Sequence, residues 1–220
     1  MKILRKTLFL FLIMLPVAGT ALAEDNFWFG AKAGTLGIGL EATSRPLPWF
    51  DFRAGANRYD YNDTGTQAGI GYDAELSLDT LYATANFRFP LSPMRRTAGA
   101  FINNNKLRMT SQDSPSFDVG GVNYTSADVG TMESVTSFDK SAPYLGIGFD
   151  FELFNKLGLN LDFGVLWQGS PGVTLTSTGL LANDPAFMAS LESGRLELEA
   201  EMEDFKAWPV LSVGFNFSFF

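Results

Sequence analysis

The titratable side chains of this 220-residue chain are spaced for electrostatics rather than for bond breaking. It contains no His and no Cys, so neither a His-activated nucleophile nor a thiolate metal site can be assembled. Carboxylate pairs remain available for acid–base work, but no pair stands apart from the rest. Charged residues instead recur at alternate positions: Glu41, Asp51 with Arg53, Asp73 with Glu75 and Asp79, Asp150 with Glu152, and Asp162. Side chains two apart share one face of a strand, so these residues are expected to line a common polar interior that favours cations. A second group, Glu197, Glu199, Glu201, Glu203 and Asp204, is dense enough to attract divalent cations or a partner. It lacks the spacing of a Ca²⁺ loop, so neither metal site nor cofactor is assigned to it. A solvated acidic segment is the plainer alternative.

The elements that must position these residues are strands. Leu157, Leu159, Leu161, Phe163, Val165 and Trp167 alternate with Gly158, Asn160, Asp162 and Gly164. Leu145, Ile147, Phe149, Phe151 and Leu153 alternate with Tyr144, Gly146, Gly148, Asp150 and Glu152. The segments around Leu36, Phe50, Tyr72 and Ala98 behave similarly, and in the third the apolar phase slips by one residue, which reads as a β-bulge near Thr80. The last strand, Leu211-Ser-Val-Gly-Phe-Asn-Phe-Ser-Phe219, has the same form. A soluble barrel or sandwich also alternates, but its second face carries Lys, Glu and Thr. Here that face is rich in Gly, Asn, Ser and Asp, which suits the narrow interior of a small closed barrel. Trp28, Trp49, Tyr59, Tyr61, Trp167 and Trp208 sit near strand ends, where interfacial girdles form.

Residues 1–23 read as an export signal, with a basic head at Lys2, Arg5 and Lys6, an apolar run over 8–15 and a small-x-small site at Ala21-Leu22-Ala23. Cleavage between Ala23 and Glu24 leaves residues 24–220 as one barrel domain. That removes three of the 16 basic residues and none of the 24 acidic ones, taking the net charge from −8 to −11. So acidic a chain is not a nucleic-acid binder. No later run approaches the ~18–20 apolar residues of a membrane-spanning helix.

Connection lengths alternate. Short ones fall at 44–48, 90–93 and 154–156, longer ones at 62–71, 111–140 and 170–206. Short turns face the periplasm in bacterial outer-membrane barrels and long loops face outside. Seven strands are plain, and periplasmic termini require an even number. Phe27, Phe29, Ala31 and Ala33 are out of phase with Leu36, Ile38 and Leu40, so a tight turn at Gly34-Thr35 supplies an additional first strand. The fold class expected is therefore an all-β, eight-stranded antiparallel transmembrane barrel. In the last loop, Asp184 can cap a helix begun by Pro185. The following Leu, Glu, Ala and Met residues favour helix, whereas the 196–203 alternation also fits a strand. In loop 111–140, Gly120-Gly121 between short apolar-polar runs reads as a hairpin.

Taken together, Gly30-Ala-Lys-Ala-Gly-Thr-Leu-Gly-Ile-Gly-Leu-Glu41, Phe163-Gly-Val-Leu-Trp-Gln-Gly-Ser-Pro171, Asp184-Pro-Ala-Phe187 and Asp204-Phe-Lys206 resemble a poorly characterised outer-membrane family near the small OmpA- and OmpW-like barrels. The resemblance implies fold and outer-membrane location, and supplies no catalytic residues. It also implies that Phe215, Phe217, Phe219 and Phe220 form the signal read by the barrel-assembly machinery, with Phe219 rather than Phe220 in the terminal place. Partners expected are outer-membrane lipid and lipopolysaccharide, with divalent cations at the acidic loop. The function expected is a non-enzymatic scaffold presenting outer loops. The alternative is a narrow cation-preferring pore.

Overall fold

The computed structural model describes residues 27–67, 70–153 and 156–218. The cleavage position Ala23/Glu24 and the terminal Phe219 and Phe220 lie outside the described residues. Among the described residues thirteen strands occur: β1 (Phe27–Gly34), β2 (Gly37–Leu47), β3 (Phe50–Gln67), β4 (Ile70–Arg88), β5 (Met94–Asn103), β6 (Lys106–Ser111), β7 (Ser116–Val119), β8 (Val122–Thr125), β9 (Met132–Ser137), β10 (Ser141–Leu153), β11 (Leu157–Trp167), β12 (Gly172–Ser177) and β13 (Ala207–Ser218). Two α-helices, α1 (Ser126–Val129) and α2 (Pro185–Glu201), lie among them. Eight strands close a barrel through antiparallel ladders β1–β2–β3–β4–β5–β10–β11–β13 and back to β1. Closure leaves no membrane-depth edge with unpaired backbone groups. Its outside is an apolar belt that includes Phe29, Leu40, Phe52, Leu81, Ile102, Leu145, Phe163, Val213, Phe215 and Phe217, all exposed. A closed barrel with such a belt is a transmembrane barrel of the outer-membrane type.

The additional first strand is present, with one shift. Gly34 pairs with Gly37, so the turn is Thr35-Leu36, and Gly37 takes φ +94°. Leu36 accordingly folds inward and is buried, instead of facing lipid with Ile38 and Leu40.

The β-bulge near Thr80 is absent. The β3–β4 register runs unbroken from Phe50↔Phe87 to Gln67↔Ile70. What changes at Thr80 is the surroundings. Below it, β4 turns Leu81, Ala83 and Ala85 to lipid and Tyr82, Thr84 and Asn86 inward. Above it, the outer face meets water and carries Asp79, Ser77, Glu75 and Asp73, while the same inner face becomes apolar with Leu78, Leu76, Ala74 and Tyr72. Polarity inverts while geometry does not. On β3 the outward sequence likewise passes from Ala56 to Arg58, and Arg58 pairs in register with Asp79, which puts the outer edge of the apolar belt at this level.

Above that level half of the wall continues upward. β6 follows β5 on the β4 ladder, β9 pairs with β6, and β12 with β9. The result is a blade, β3-β4-β6-β9-β12, whose inner face prolongs the lumen wall. The expected long loop at 62–71 is mostly strand in this blade. The Gly120-Gly121 hairpin exists as β7–β8, and α2 starts as expected, with Asp184 accepting from the backbone N–H groups of Ala186 (2.9 Å) and Phe187 (3.1 Å). α2 and the hairpin cover the blade's inner face. They enclose a second core of Phe117, Val119, Val129, Met132 and Phe187, joined by Tyr72, Leu175 and Leu191.

Candidate functional site: a filled lumen under an extracellular module

Inward positions of the barrel strands carry two layers. The periplasmic layer is ionic. Arg53, 3% exposed, donates from Nη1 to Glu41 (3.2 Å), from Nε to Asp51 (3.2 Å) and from Nη2 to Asp150 (3.1 Å). Arg95, 1% exposed, donates from Nε to Asp150 (3.1 Å), from Nη1 to Asn86 (3.1 Å) and Thr97 (2.7 Å), and from Nη2 to Asp162. Arg88 stands 3.0 Å from Asp150 and 3.5 Å from Asp51. Lys32 stands 3.5 Å from Glu41, its ammonium over the Tyr82 ring at 3.9 Å. Four acids, Glu41, Asp51, Asp150 and Asp162, thus meet four bases, Lys32, Arg53, Arg88 and Arg95. Planar guanidinium groups suit such a site because each offers five N–H donors to several carboxylates at once.

The outer layer is apolar. Leu36, Tyr82, Phe101, Ala142, Tyr144, Leu166 and Val210 form one buried cluster, with Trp208 against it. The Tyr82 and Phe101 rings stack at 4.9 Å between centroids, and Phe101 and Tyr144 lie 5.3 Å apart. These large groups fit because glycine faces them. A Cβ on Gly164 would lie 2.4 Å from the Tyr144 hydroxyl, and one on Gly148 would lie 2.5 Å from Arg95 Cζ. The Gly-rich inner face therefore makes room for side chains that cross the lumen. The cavity left between the two layers holds ≈ 30 Å³, about the share of one water molecule.

The expected lumen residues separate into groups. Glu41, Asp51, Arg53, Asp150 and Asp162 converge. Glu152 sits at the periplasmic rim, exposed and 3.2 Å from Arg45. Asp73, Glu75 and Asp79 do not line the lumen: they stand on the outer, exposed face of the blade because β4 carries no bulge. Lys32, Arg88 and Arg95 were the residues missed. Their signal was phase alone, Arg95 with Thr97 and Gly99, Arg88 with Asn86, Lys32 with Gly30. The girdle reading is also corrected for Tyr59 and Tyr61, which share the inner face of β3 opposite Leu78 and Leu76, and for Trp28 and Trp208. Both tryptophans point inward, Trp28 beneath Arg45 at 5.7 Å and Trp208 onto the apolar layer.

The acidic segment is helical, which breaks up its every-other-residue pattern, since alternate residues on a helix point about 200° apart. Glu199 pairs with Arg195 and accepts from the Val173 N–H at 3.0 Å. Glu203 pairs with Lys206 at 2.7 Å. Both Glu192 and Glu199 are held below the ordinary glutamate range, Glu192 by its hydrogen bond from Arg195 and Glu199 first by the Val173 amide. Among the described residues no group of three or more carboxylates is placed to hold a metal ion.

No family model matches the chain, and no curated protein does. Among solved structures, Acinetobacter baumannii CarO2 is similar with TM-score 0.59 at 21% identity, over 88% of this chain and 98% of that one. Acinetobacter baumannii CarO is similar with TM-score 0.57 at 23% identity, over 89% and 98%. A major outer membrane protein from Thermus thermophilus overlaps more loosely, with TM-score 0.42 at 14% identity over 88% and 98%. The likeness to the two Acinetobacter proteins is one of fold: a closed eight-stranded barrel.

Proposed function

We propose that this protein is an outer-membrane scaffold: a sealed barrel that serves as the pedestal for a folded extracellular module of β6, β9, β12, the β7–β8 hairpin and α2. The observation that carries the reading is the filling of the lumen, where an apolar layer lies over an ion-pair lattice with room for about one water between them. A narrow cation-preferring pore needs an open path and an acidic lining. Here the buried acids are matched one for one by bases. The reading is non-catalytic, in keeping with a chain without His or Cys. It keeps the resemblance to the small OmpA- and OmpW-like barrels, and it keeps the Phe-rich C-terminal strand, whose Phe215 and Phe217 face outward, as the assembly signal.

The test is single-channel recording in planar bilayers. The purified protein is expected to give no discrete conductance steps in concentrated KCl. A variant that empties the apolar layer, Tyr144→Gly with Leu166→Gly, is expected to leak. Stable, ion-selective steps from the unaltered protein would overturn the scaffold reading in favour of the pore.

A further inference from the structure

Between α2 and the inner face of the blade lies a cavity of ≈ 300 Å³, within the size range of small-molecule sites. Its floor comes from Tyr72, Met109, Met132 and Leu175 of the blade, closed by Leu198 of α2. One end is closed by backbone. At Gly120 (φ +59°) a Cβ would lie 2.4 Å from the Ser190 carbonyl oxygen, so the hairpin can sit against α2 there only as glycine. The cavity lies on the prolonged inner wall of the blade and opens to the outside.

Its rim is acidic in a particular way. On α2 the carboxylates away from the cavity, Glu192 and Glu199, are both paired with Arg195. Glu197 and Glu201, one helical turn apart, line the cavity, and Asp118 lines it from the hairpin. Among the described residues these three have no basic partner, and Asp118 accepts the Gly121 N–H, at 3.0 Å. Arg195 was available two residues from Glu197, yet it turns to the other side. An apolar floor edged by un-neutralised carboxylates matches a molecule with one apolar body and one positive end. Tyr72 adds an aromatic ring that can favour a cation, and the two methionine sulfurs suit an apolar or aromatic body.

We propose that this cavity binds a small organic cation, an ammonium group on an apolar or aromatic body, with the ammonium between Glu197, Glu201 and Asp118. The proposal rests on the scaffold reading, in that it needs a folded module above the barrel.

The test uses full-length protein in neutral micelles with 13C-methyl methionine, and 4-phenylbutylammonium as the probe. Met109 and Met132 line the cavity, while Met94, Met202 and the exposed Met188 do not. Saturable shifts are expected at Met109 and Met132 only, and 4-phenylbutanol, the neutral isostere, should bind more weakly. Glu197→Gln with Glu201→Gln should weaken the ammonium about tenfold or more, as loss of charge-assisted hydrogen bonds implies. Gly194→Met gives an independent check. A Cβ there would sit 3.4 Å from the Gly120 nitrogen and 3.7 Å from Leu175 Cδ2, so the side chain would occupy the cavity and abolish binding. Equal response to the alcohol, shifts at all methionines alike, or saturable binding of Mg²⁺ alone at the same methyls would each overturn the proposal. The free protein separates the two readings. Dispersed but unresponsive Met109 and Met132 signals would sink the ligand site and leave the scaffold standing, whereas random-coil signals would sink both.

Discussion

Replacing Arg95 with Met should unfold this barrel more readily than any conservative change on its surface. The guanidinium is 1% exposed and holds Asp150, Asp162, Asn86 and Thr97, the first three of them on other strands. Met fills similar volume, so the loss is electrostatic rather than steric. After the substitution Asp150 keeps Arg53 and Arg88. Among the described residues Asp162 keeps the Ser212 hydroxyl, at 3.3 Å, and no base within ion-pair distance. Removing one partner of a buried pair costs about 3–5 kcal/mol, because the other charge is left without compensation. Asp162→Asn, which a merely polar lumen should tolerate, takes from Arg95 one of its two acids while Asp150 stays at 3.1 Å, and is expected to cost about 1.5–3 kcal/mol. The double variant should cost less than the two single costs added, with a coupling of about 1–3 kcal/mol. Urea titration in lipid vesicles, followed by tryptophan fluorescence and by the mobility difference between boiled and unboiled samples, reads these values. Arg96→Met is the control, since Arg96 is the next residue and faces outward over the Phe89 ring at 5.3 Å. It should cost about 1 kcal/mol or less. An Arg95→Met cost no larger than the control, or strict additivity with Asp162→Asn, would refute the ion-pair lattice as the stabilising core.

Three further outcomes are expected. Leu161→Arg, on the outer face of β11 opposite Val213 and Phe149, should destabilise folding into bilayers by about 2–4 kcal/mol, the cost of a midplane position. Asp184→Ala removes both cap hydrogen bonds of α2 and should cost about 1 kcal/mol, read as faster amide exchange in residues 185–191 with the barrel unchanged. Glu192 and Glu199 have folded pKa values below the ordinary 4.5, so their contribution is complete above that value and is lost as pH falls through and below it. Exchange protection of α2 should therefore decline below about pH 4.5, and a flat profile down to about pH 3 would count against the Arg195 and Val173 contacts.

The sequence by itself determined the barrel. A period of two over long segments, small polar residues on one face, Phe and Leu on the other and alternating loop lengths admit few folds. The phase break at residues 34–36 sufficed to count eight strands. The start of α2 was legible too, because Asp184 and Pro185 act locally, as was the Gly120-Gly121 hairpin. What the sequence left open depends on which surroundings meet a given face. An alternation that inverts its polarity looks like a bulge, but at Thr80 it marks a straight strand leaving lipid for water, and one chain alone does not say where the bilayer ends. Only the closed barrel shows that Asp73, Glu75 and Asp79 lie outside while Asp51, Asp150 and Asp162 lie within reach of Arg53 and Arg95. Arg53 and Asp150 are 97 residues apart in the chain, and their pairing is set by ladder register. The same holds for the cavity above. Its acidic rim is unpaired because the helical turn sends Arg195 one way and Glu197 the other, and its floor exists because β6, β9 and β12 add to the outer part of β4 as one sheet.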